Sequence, residues 1–418
     1  MKVIRKRPAG IGKFRRACVK IEPHELSSPY ARWTLNRSSR LARILVLGAL
    51  FAALAIAIIW SPSSGVTDFA AYWTGGQRLI HRQDPYSQSA VLALERQLGF
   101  TGTIPLVIRN PPWALPLTLP LGLLPYDLAQ RLWLWIGIAI TLVCAHWLWQ
   151  FYAPTNKSSF AVLVITVLYL PAATVLALGQ IGPLVLLGIV GFLICAEKRF
   201  DGWAGVSAFL IALKPHLALF FWPVLLWWVI ENRRLRILYA LALALLAATA
   251  IALAFDPHAF SHYSQLWRES NLVWYKAPTA GGVLCRWLAP RKSWLVATPT
   301  VLGGVWLLWL WLRERRGWEW RAQMPALLLV SVWASPYAWF FDQVVLLPAL
   351  VELTTRTQAA SVQKRIRVLI LFLAINATVL LFLLAHRTAF WYAWTASAWL
   401  LLYLFGRWQL STHSADSH

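Results

Sequence analysis

The sequence predicts an all-helical integral membrane protein, and two observations carry that prediction. Of the 418 residues, 59% are apolar and only 13% are charged, which gives a mean hydropathy of +0.57. One soluble core cannot cover that much apolar surface. The apolar stretches are also long enough for spanning helices, which need roughly 20 residues, whereas a β-barrel would show alternating segments of about ten residues.

The distribution of basic residues predicts how the chain is oriented. A net charge of +23 is typical of nucleic-acid-binding proteins, but the positions of the basic residues suggest another explanation. Twelve Lys or Arg lie in residues 1–43, before the first apolar stretch. Further basic clusters close the apolar stretches at 198–199, 233–236, 313–321 and 356–367. Loops rich in Lys and Arg stay on the cytoplasmic side of a membrane. We therefore expect a basic cytoplasmic segment, residues 1–40, that contacts anionic membrane lipids, two cytoplasmic termini and no nucleic-acid binding.

About twelve spans are predicted, some of them short or broken, within a single polytopic domain at residues 41–410. The first span, 41–60, is longer than the apolar part of a cleavable signal peptide. The other apolar stretches are 131–151, 160–178, 182–196, 202–230, 235–255, 294–312, 322–355, 368–385 and 389–406. Outer loops are expected at 61–130 and 256–293, and a polar, disordered tail at 411–418.

Two stretches, 202–230 and 322–355, begin and end at basic loops, so the chain must cross outward and return within each. Each is short for two full crossings. Lys214-Pro215-His216 lies midway in the first, and the run 335–342, Ser-Pro-Tyr-Ala-Trp-Phe-Phe-Asp, midway in the second. Broken helices are tolerated in membranes mainly where they line a cavity. The two turns therefore predict one cavity that opens outward; tightly packed short hairpins are the alternative.

Asp68 follows the first span in the run 66–72, Val-Thr-Asp-Phe-Ala-Ala-Tyr. A carboxylate at that depth is costly unless it is paired, solvated or used. Burial raises a carboxylate pKa and makes it a better base near neutral pH, so Asp68 is the candidate catalytic base. The alternative is a helix N-cap, because Phe-Ala-Ala-Tyr-Trp after it is typical of a helix start. The position alone does not decide between them.

Lys214 and Arg109 are candidate ligands of a phosphate group. Lys214 lies among Phe, Leu and Ala, so its ammonium needs an anion or water, and a phosphate leaving group would meet that need. The alternative is pairing with a buried carboxylate such as Asp342. Arg109 precedes Asn-Pro-Pro, and its alternative is to extend toward lipid headgroups.

The remaining candidates have equally ordinary alternatives. Asp84-Pro85-Tyr86 indicates a turn. Gln180, in the tight turn 179–183, either binds a sugar or caps its own turn. His216 is more typical of a hydrogen-bonded histidine than of a metal ligand, and no metal-ligand spacing appears in the chain, so neither a metal nor another cofactor is expected. Trp339 is a candidate platform for a sugar ring.

Several short motifs follow one another in a fixed order along the chain. They are Asp68 with Tyr72, Gly76 and Asp84-Pro85-Tyr86; Asn110-Pro111-Pro112; Gly179-Gln180, Gly205 and Lys214-Pro215; and Ser335-Pro336, Trp339 and Leu346-Leu347-Pro348. In this order, over about residues 66–350, they resemble glycosyltransferase family 87. Its best-known members are bacterial polyprenyl-phosphate-mannose-dependent α-mannosyltransferases.

The resemblance implies a GT-C architecture, a helical membrane bundle with its active site on the outer face. It implies Asp68 as the catalytic base and Lys214 as a ligand of the donor phosphate. The candidate substrate-binding residues are then Lys214, Arg109, Tyr72, Asp84, Tyr86, Gln180, His216, Trp339 and Asp342. Mannosyltransferase members carry a histidine after the late Trp, where this chain has Phe-Phe-Asp. That departure leaves open how the phosphate is held and which sugar is used, and Asp342 has either an acceptor-binding or a pairing role.

We therefore expect an inverting hexosyltransferase of the bacterial inner membrane whose active site faces the periplasm. Nucleotide sugars are absent there, so the sugar, expected to be mannose, must arrive on polyprenyl phosphate and pass to a hydroxyl of a glycolipid or glycan acceptor. A transporter or lipid flippase with a polar outward-facing cavity is the alternative, although related halves are not evident in the sequence. A non-catalytic membrane subunit is a third possibility.

Overall fold

The computed structural model describes residues 66–153, 160–269, 277–288, 293–358 and 360–411. Those ranges are largely helical and contain no β-strand. The α-helices are α1 (Phe69–Ile80), α2 (Gln88–Gln97), α3 (Leu119–Gly122), α4 (Tyr126–Tyr152), α5 (Phe160–Leu168), α6 (Leu170–Ala177), α7 (Gly182–Glu197), α8 (Asp201–Ile211), α9 (Phe221–Glu231), α10 (Arg236–Phe255), α11 (Ala259–Glu269), α12 (Ala280–Leu288), α13 (Thr298–Glu314), α14 (Trp320–Ala334), α15 (Leu347–Thr357), α16 (Val362–Leu384) and α17 (Thr395–Ser411). The predicted basic segment 1–40, the first span 41–60 and residues 412–418 of the tail lie outside the described residues.

Four helical stretches among the described residues are long and apolar enough to cross a membrane. They are α4, α10, the stretch Trp294–Gly317 around α13, and α16. In α10, the leucine side chains are not covered by the rest of the protein: Leu243 and Leu246 are 69% and 68% exposed. Leucines left open along a 20-residue apolar helix fit contact with lipid. These four stretches support the prediction of a helical protein with membrane spans, whereas twelve spans are not confirmed.

The predicted span at 160–178 is two short helices rather than one. Its break lies at Tyr169, whose backbone is extended (φ −79°, ψ 96°), and Pro171 follows at the start of α6. The amide freed by the break is not lost, because Leu170 N donates to Asn376 Oδ1 at 3.0 Å. Tertiary contacts of this kind keep a broken helix stable inside a bundle, and hydropathy does not show them.

Each of the two predicted broken stretches is a pair of short helices joined by a turn, and we use the word hairpin for such a pair. We call residues 201–231 the first hairpin: α8, a 3₁₀ turn at Pro215–Ala218, and α9. Residues 320–357 are the second hairpin: α14, a 3₁₀ turn at Phe340–Leu346, and α15. Proline explains both breaks, because the residue before it is driven out of the helical region.

The bundle packs closely where the first hairpin meets its neighbours. Helix α8 lies between α7 and α10, and α4 packs against both α7 and α15. Gly205 lets α8 approach α10, since a Cβ there would lie 2.3 Å from the carbonyl oxygen of Ile237. Small residues at such crossings are typical of helices that pack within membranes. The first hairpin is therefore held on two sides, and its turn is fixed at one end of the bundle.

The two predicted loops contain helices of their own. Residues 66–130 include α1, α2 and α3, and the proline-rich piece Pro111–Pro125 folds as a 3₁₀ turn (Pro112–Thr118) followed by the four-residue α3. Neither piece is long enough to cross a bilayer. In the second loop, α11 and α12 are separate short helices. These elements cover the end of the bundle at which the two hairpin turns lie.

Candidate functional site

A cavity of about 560 Å³ lies where the hairpin turns meet the two loop regions. Its lining comes from the start of α1, from residues 104–111, from Gln180, from the turn 213–216, from one face of α11, and from residues 336–342. Most of that lining is apolar, so the few polar groups in the cavity stand out against it. They are the groups from which any chemistry must be built.

The turn at Gly179 brings Gln180 to the start of α1. Gly179 has φ +69°, and a Cβ there would lie 2.6 Å from Phe69 Cβ, so the position requires glycine for both conformation and space. The Phe69 amide donates to Leu178 O at 2.9 Å, and Trp133 Nε1 donates to Gly179 O at 2.8 Å. These contacts fix the turn against α1.

Asp68 occupies the N-cap position of α1, but its side chain forms no capping hydrogen bond. Its Oδ2 instead accepts a hydrogen bond from Gln180 Nε2 at 2.7 Å. Burial raises the pKa of Asp68, while the hydrogen bond from Gln180 and the charge of Lys214 act in the opposite direction. The carboxylate is therefore turned into the cavity rather than onto its own helix, so its side chain does not cap α1; its role as a base stays a prediction.

Lys214 projects from the first hairpin into the same polar group. Its Nζ donates to Asp342 Oδ1 at 2.8 Å and to Gln180 Oε1 at 2.9 Å, and it lies 5.4 Å from the centroid of the Phe341 ring. Lys214 is 9% exposed and Asp342 only 1%. Lys214 is thus paired with a buried carboxylate, as the alternative interpretation expected.

Asp342 is held by its own turn as well as by Lys214. Its Oδ2 accepts a hydrogen bond from Trp339 N at 3.0 Å, at the start of the 3₁₀ turn of the second hairpin. Both carboxylate oxygens of Asp342 are therefore engaged within the protein. The structure therefore gives Asp342 a pairing role, of the two roles considered from the sequence.

Tyr72, one helical turn after Asp68, belongs to the same network of polar side chains. Its hydroxyl donates to Gln180 Oε1 at 2.9 Å. The network of hydrogen bonds thus runs from Asp68 through Gln180 to Lys214 and on to Asp342. It contains two carboxylates and one ammonium, so a second cation would have to offset the charge of any bound phosphate.

Arg109 lies in the cavity lining, on a segment that is fastened to the first hairpin. Asn110 Nδ2 donates to Leu213 O at 2.9 Å, and Trp113 Nε1 donates to Ala212 O at 2.9 Å. The segment bearing Arg109 is therefore hydrogen-bonded directly to the turn bearing Lys214. Lys214 and Arg109 are cationic residues in this lining.

His216 and Trp339 also line the cavity. The His216 ring packs edge-on against Tyr337 with centroids 5.7 Å apart, and its Nε2 has no hydrogen-bond partner within the described ranges. The Trp339 ring lies parallel to Phe341 at 6.4 Å. The 6.4 Å is the distance between the two ring centroids, and the role of Trp339 as a platform for a sugar stays a prediction.

Asp84 and Tyr86 do not line the cavity, in contrast to the other candidates. Asp84 Oδ1 accepts from Tyr86 N at 2.8 Å, and the Tyr86 hydroxyl donates to Asn110 O at 3.1 Å. Tyr86 is buried behind the segment that carries Arg109. Their positions therefore do not favour direct substrate binding. Tyr86 contacts the backbone of the segment that carries Arg109, and Asp84 accepts from the Tyr86 amide.

The sequence did not single out three aromatic residues of the lining. Tyr263 and Trp267 lie four residues apart on α11 and present one face to the cavity, and Tyr337 lies between Trp267 and Trp339 with centroid distances of 6.4 and 6.2 Å. The i, i+4 spacing of the first two was the signal available in the sequence. Together they form an aromatic wall facing the turn that carries Lys214.

One group of possible metal ligands occurs among the described residues, beside the cavity rather than in it. Ligand atoms of Asp84, Asp256 and His262 lie within 4.8 Å of one another. His262 Nδ1 is 2.8 Å from Asp256 Oδ2 and 3.4 Å from Asp84 Oδ1. His262 therefore lies between the two carboxylates, at hydrogen-bond distance from Asp256.

A family model for glycosyltransferase family 87 matches residues 108–336, which is more than half of the chain. The chain belongs to glycosyltransferase family 87. It is therefore an enzyme that transfers a sugar from a donor to an acceptor, which decides against the transporter and the non-catalytic subunit. The matched range contains Arg109, Gln180 and Lys214, whereas Asp68 and Asp342 lie outside it. No curated protein and no solved structure matches the chain.

Proposed function

We propose that the protein is an inverting hexosyltransferase that moves a sugar, mannose in our first choice, from polyprenyl phosphate to a hydroxyl of a glycolipid or glycan. The observation that carries this proposal is a carboxylate, Asp68, in a mostly apolar cavity that also contains the Lys214 ammonium. A base and a ligand for a leaving phosphate are the two groups that direct displacement at a sugar carbon requires.

The reaction is a single displacement. Asp68 takes the proton of the acceptor hydroxyl, and the acceptor oxygen forms a bond to the anomeric carbon. The bond between that carbon and the phosphate oxygen breaks, and polyprenyl phosphate leaves with the electron pair. Attack and departure occur on opposite faces of the sugar, so the configuration inverts.

Lys214 and Arg109 are our candidates for neutralising the leaving group. An ammonium has three donors, and Lys214 uses two of them toward Asp342 and Gln180. The third remains for a phosphate oxygen. Because Asp342 already balances Lys214, the charge that develops on the phosphate falls largely to Arg109, whose planar guanidinium suits bidentate contact with phosphate. His216 Nε2 is a further candidate donor.

The aromatic wall supports a carbohydrate acceptor. Its residues Tyr263, Trp267 and Tyr337, and Trp339 beside them, present ring faces and polar edges of the kind on which sugar rings stack. We place the cavity on the periplasmic face of the bacterial inner membrane, where the donor must be carried by a lipid because nucleotide sugars are absent. None of these steps requires a metal ion.

The test compares the purified full chain with its Asp68→Asn variant. Both are given radiolabelled polyprenyl-phosphate mannose together with a lipid extract from the host membrane, after thermal melts establish equal folding. Wild type should move label into a new product, and the variant should be slower by about 10²- to 10⁴-fold, which is the usual contribution of a general base. Equal transfer by both proteins would remove Asp68 from the mechanism. Absence of transfer by wild type would rule out this donor and sugar.

A further inference from the structure

We propose that Gln180 is a positioning residue whose amide orients the Asp68 carboxylate and transmits the charge of Lys214 to it. The inference rests on the proposed function, in which Asp68 is the base. It assigns Gln180 a role that is neither sugar binding nor capping of its own turn.

The neighbours of Gln180 determine which end of its amide faces which partner. Lys214 has only donors, so the oxygen of the amide must face it, at 2.9 Å. Tyr72 donates to the same oxygen at 2.9 Å, which uses both of its lone pairs. The amide nitrogen is then left to face Asp68, at 2.7 Å. A glutamine satisfies all three neighbours in a single orientation.

The amide is also the link between the base and the nearest cation. Within the described part of the chain, Asp68 takes part in no salt bridge, whereas Lys214 is bonded to Asp342 and Gln180. An ammonium on the oxygen of an amide polarises the group and makes its N–H a stronger donor. The carboxylate of Asp68 therefore receives part of the Lys214 charge through Gln180.

This arrangement leaves one oxygen of Asp68 for chemistry. Oδ2 is held by Gln180, so Oδ1 is the atom that can receive the acceptor proton, and the direction of its lone pairs is set. The other titratable groups whose charge acts on Asp68 or responds to it come from several elements. They are Tyr72, Glu95, Lys214, Tyr337 and Asp342.

The first experiment titrates Asp68 itself and needs no substrate. Infrared difference spectra against pH are recorded for the full chain in lipid nanodiscs, with Asp68→Asn used to assign the carboxyl band. Gln180→Met keeps the length of the side chain and removes its donor, so the midpoint of Asp68 should rise by about one pH unit or more. Gln77→Met is the matched control, because the Gln77 amide donates to Gly122 O instead. An unchanged midpoint in Gln180→Met would overturn the inference.

The second experiment follows label transfer from radiolabelled polyprenyl-phosphate mannose at several pH values. Gln180→Met should lower kcat by about 10- to 100-fold with little change in the donor KM, since a hydrogen bond to a charged group is lost. Gln180→Glu should move the acid limb of kcat to higher pH, because two adjacent carboxylates resist joint ionisation. A purely structural Gln180 would reduce the folded fraction and leave that limb in place.

The two hypotheses fail in different ways. Full transfer by Asp68→Asn would contradict the proposed function, whatever Gln180 does. An inactive Asp68→Asn combined with an unshifted Gln180→Glu profile would contradict only the role of Gln180.

Discussion

The two hairpins that meet at the cavity share one plan, yet they present their charges in different ways. Each consists of a short helix that ends just before a proline, a 3₁₀ turn, and a second short helix. The first contributes Lys214, which lies just before its 3₁₀ turn on a long flexible stem. The second contributes Asp342, which lies inside its turn and is bonded to the backbone of that turn.

The two charged side chains differ in how far each can change its conformation. Lys214 is 9% exposed at the cavity wall and has a donor to spare, whereas Asp342 is 1% exposed and has both oxygens engaged. Lys214 can therefore adjust to a ligand without any movement of the backbone, and Asp342 cannot. The comparison indicates a fixed anion that holds an adjustable cation in place.

The largest effect on stability is expected from Lys214→Met. The change leaves Asp342 buried without its cation, which costs about 3–5 kcal/mol of the free energy of unfolding. Label transfer should also be lost. Chemical denaturation in detergent measures the first effect, with Lys198→Met as the control because Lys198 is exposed. A loss below about 1 kcal/mol would mean that Asp342 does not depend on its partner.

Glu95 sharpens the comparison, because it is a buried carboxylate without a salt bridge among the described residues. Its two oxygens accept from Leu106 N at 3.0 and 3.1 Å, and burial raises its pKa from 4.5 to about 7. Between those two pH values the folded state holds more protons than the unfolded state. The free energy of unfolding should therefore fall as pH rises from about 4.5 to about 7, by up to about 3 kcal/mol.

Thermal unfolding of wild type and Glu95→Gln across that pH range tests the Glu95 prediction. The glutamine keeps an acceptor for Leu106 N and cannot ionise, so its stability should lose this component of the pH dependence. Identical pH curves for the two proteins would show that Glu95 titrates near its ordinary value.

A smaller loss of stability is expected from Asp342→Asn. The lysine left behind still bonds to Gln180 and borders the cavity, and the asparagine still accepts from Trp339 N, so the cost should be about 1–2 kcal/mol. Some label transfer should survive, since the charge of Lys214 then becomes available to the donor phosphate. A larger loss of stability than that of Lys214→Met would reverse the proposed roles of the two hairpins.

The smallest effect on stability is expected from the double variant Lys214→Met with Asp342→Leu. Replacing a buried ion pair by apolar side chains of similar size is often neutral, so unfolding should stay within about 1 kcal/mol of wild type. Transfer should nevertheless be absent. Denaturation and label transfer on one preparation check both statements, and a double variant that is active would mean that the ion pair serves stability alone.

Much of this arrangement was open to prediction from the sequence. The basic loops at both ends of the stretches 202–230 and 322–355, and their shortness, predicted that each goes out and returns as two half-length helices, since a half-length apolar segment cannot make two full crossings. The number of spans was not predictable in the same way. Hydropathy does not separate a helix that faces lipid, such as α10, from one buried by its neighbours, such as α7.

The contacts of the site were beyond the sequence for a related reason. Asp68 and Gln180 are 112 residues apart along the chain, and Lys214 and Asp342 are 128 residues apart. The residue types alone were compatible with an N-cap, a turn cap, a free phosphate ligand or an ion pair, and these alternatives differ only in what lies nearby.

The sequence by itself determined that this chain is a helical membrane protein with glycosyltransferase family 87 motifs and two proline-broken hairpins, because composition, proline and motif order are local properties. Only the tertiary structure decided that Asp68 turns away from its helix toward Gln180, and that Lys214 is already paired with Asp342. Those choices follow from the close packing of four distant segments, where each buried polar atom must find its partner among the groups that the fold brings within hydrogen-bond distance.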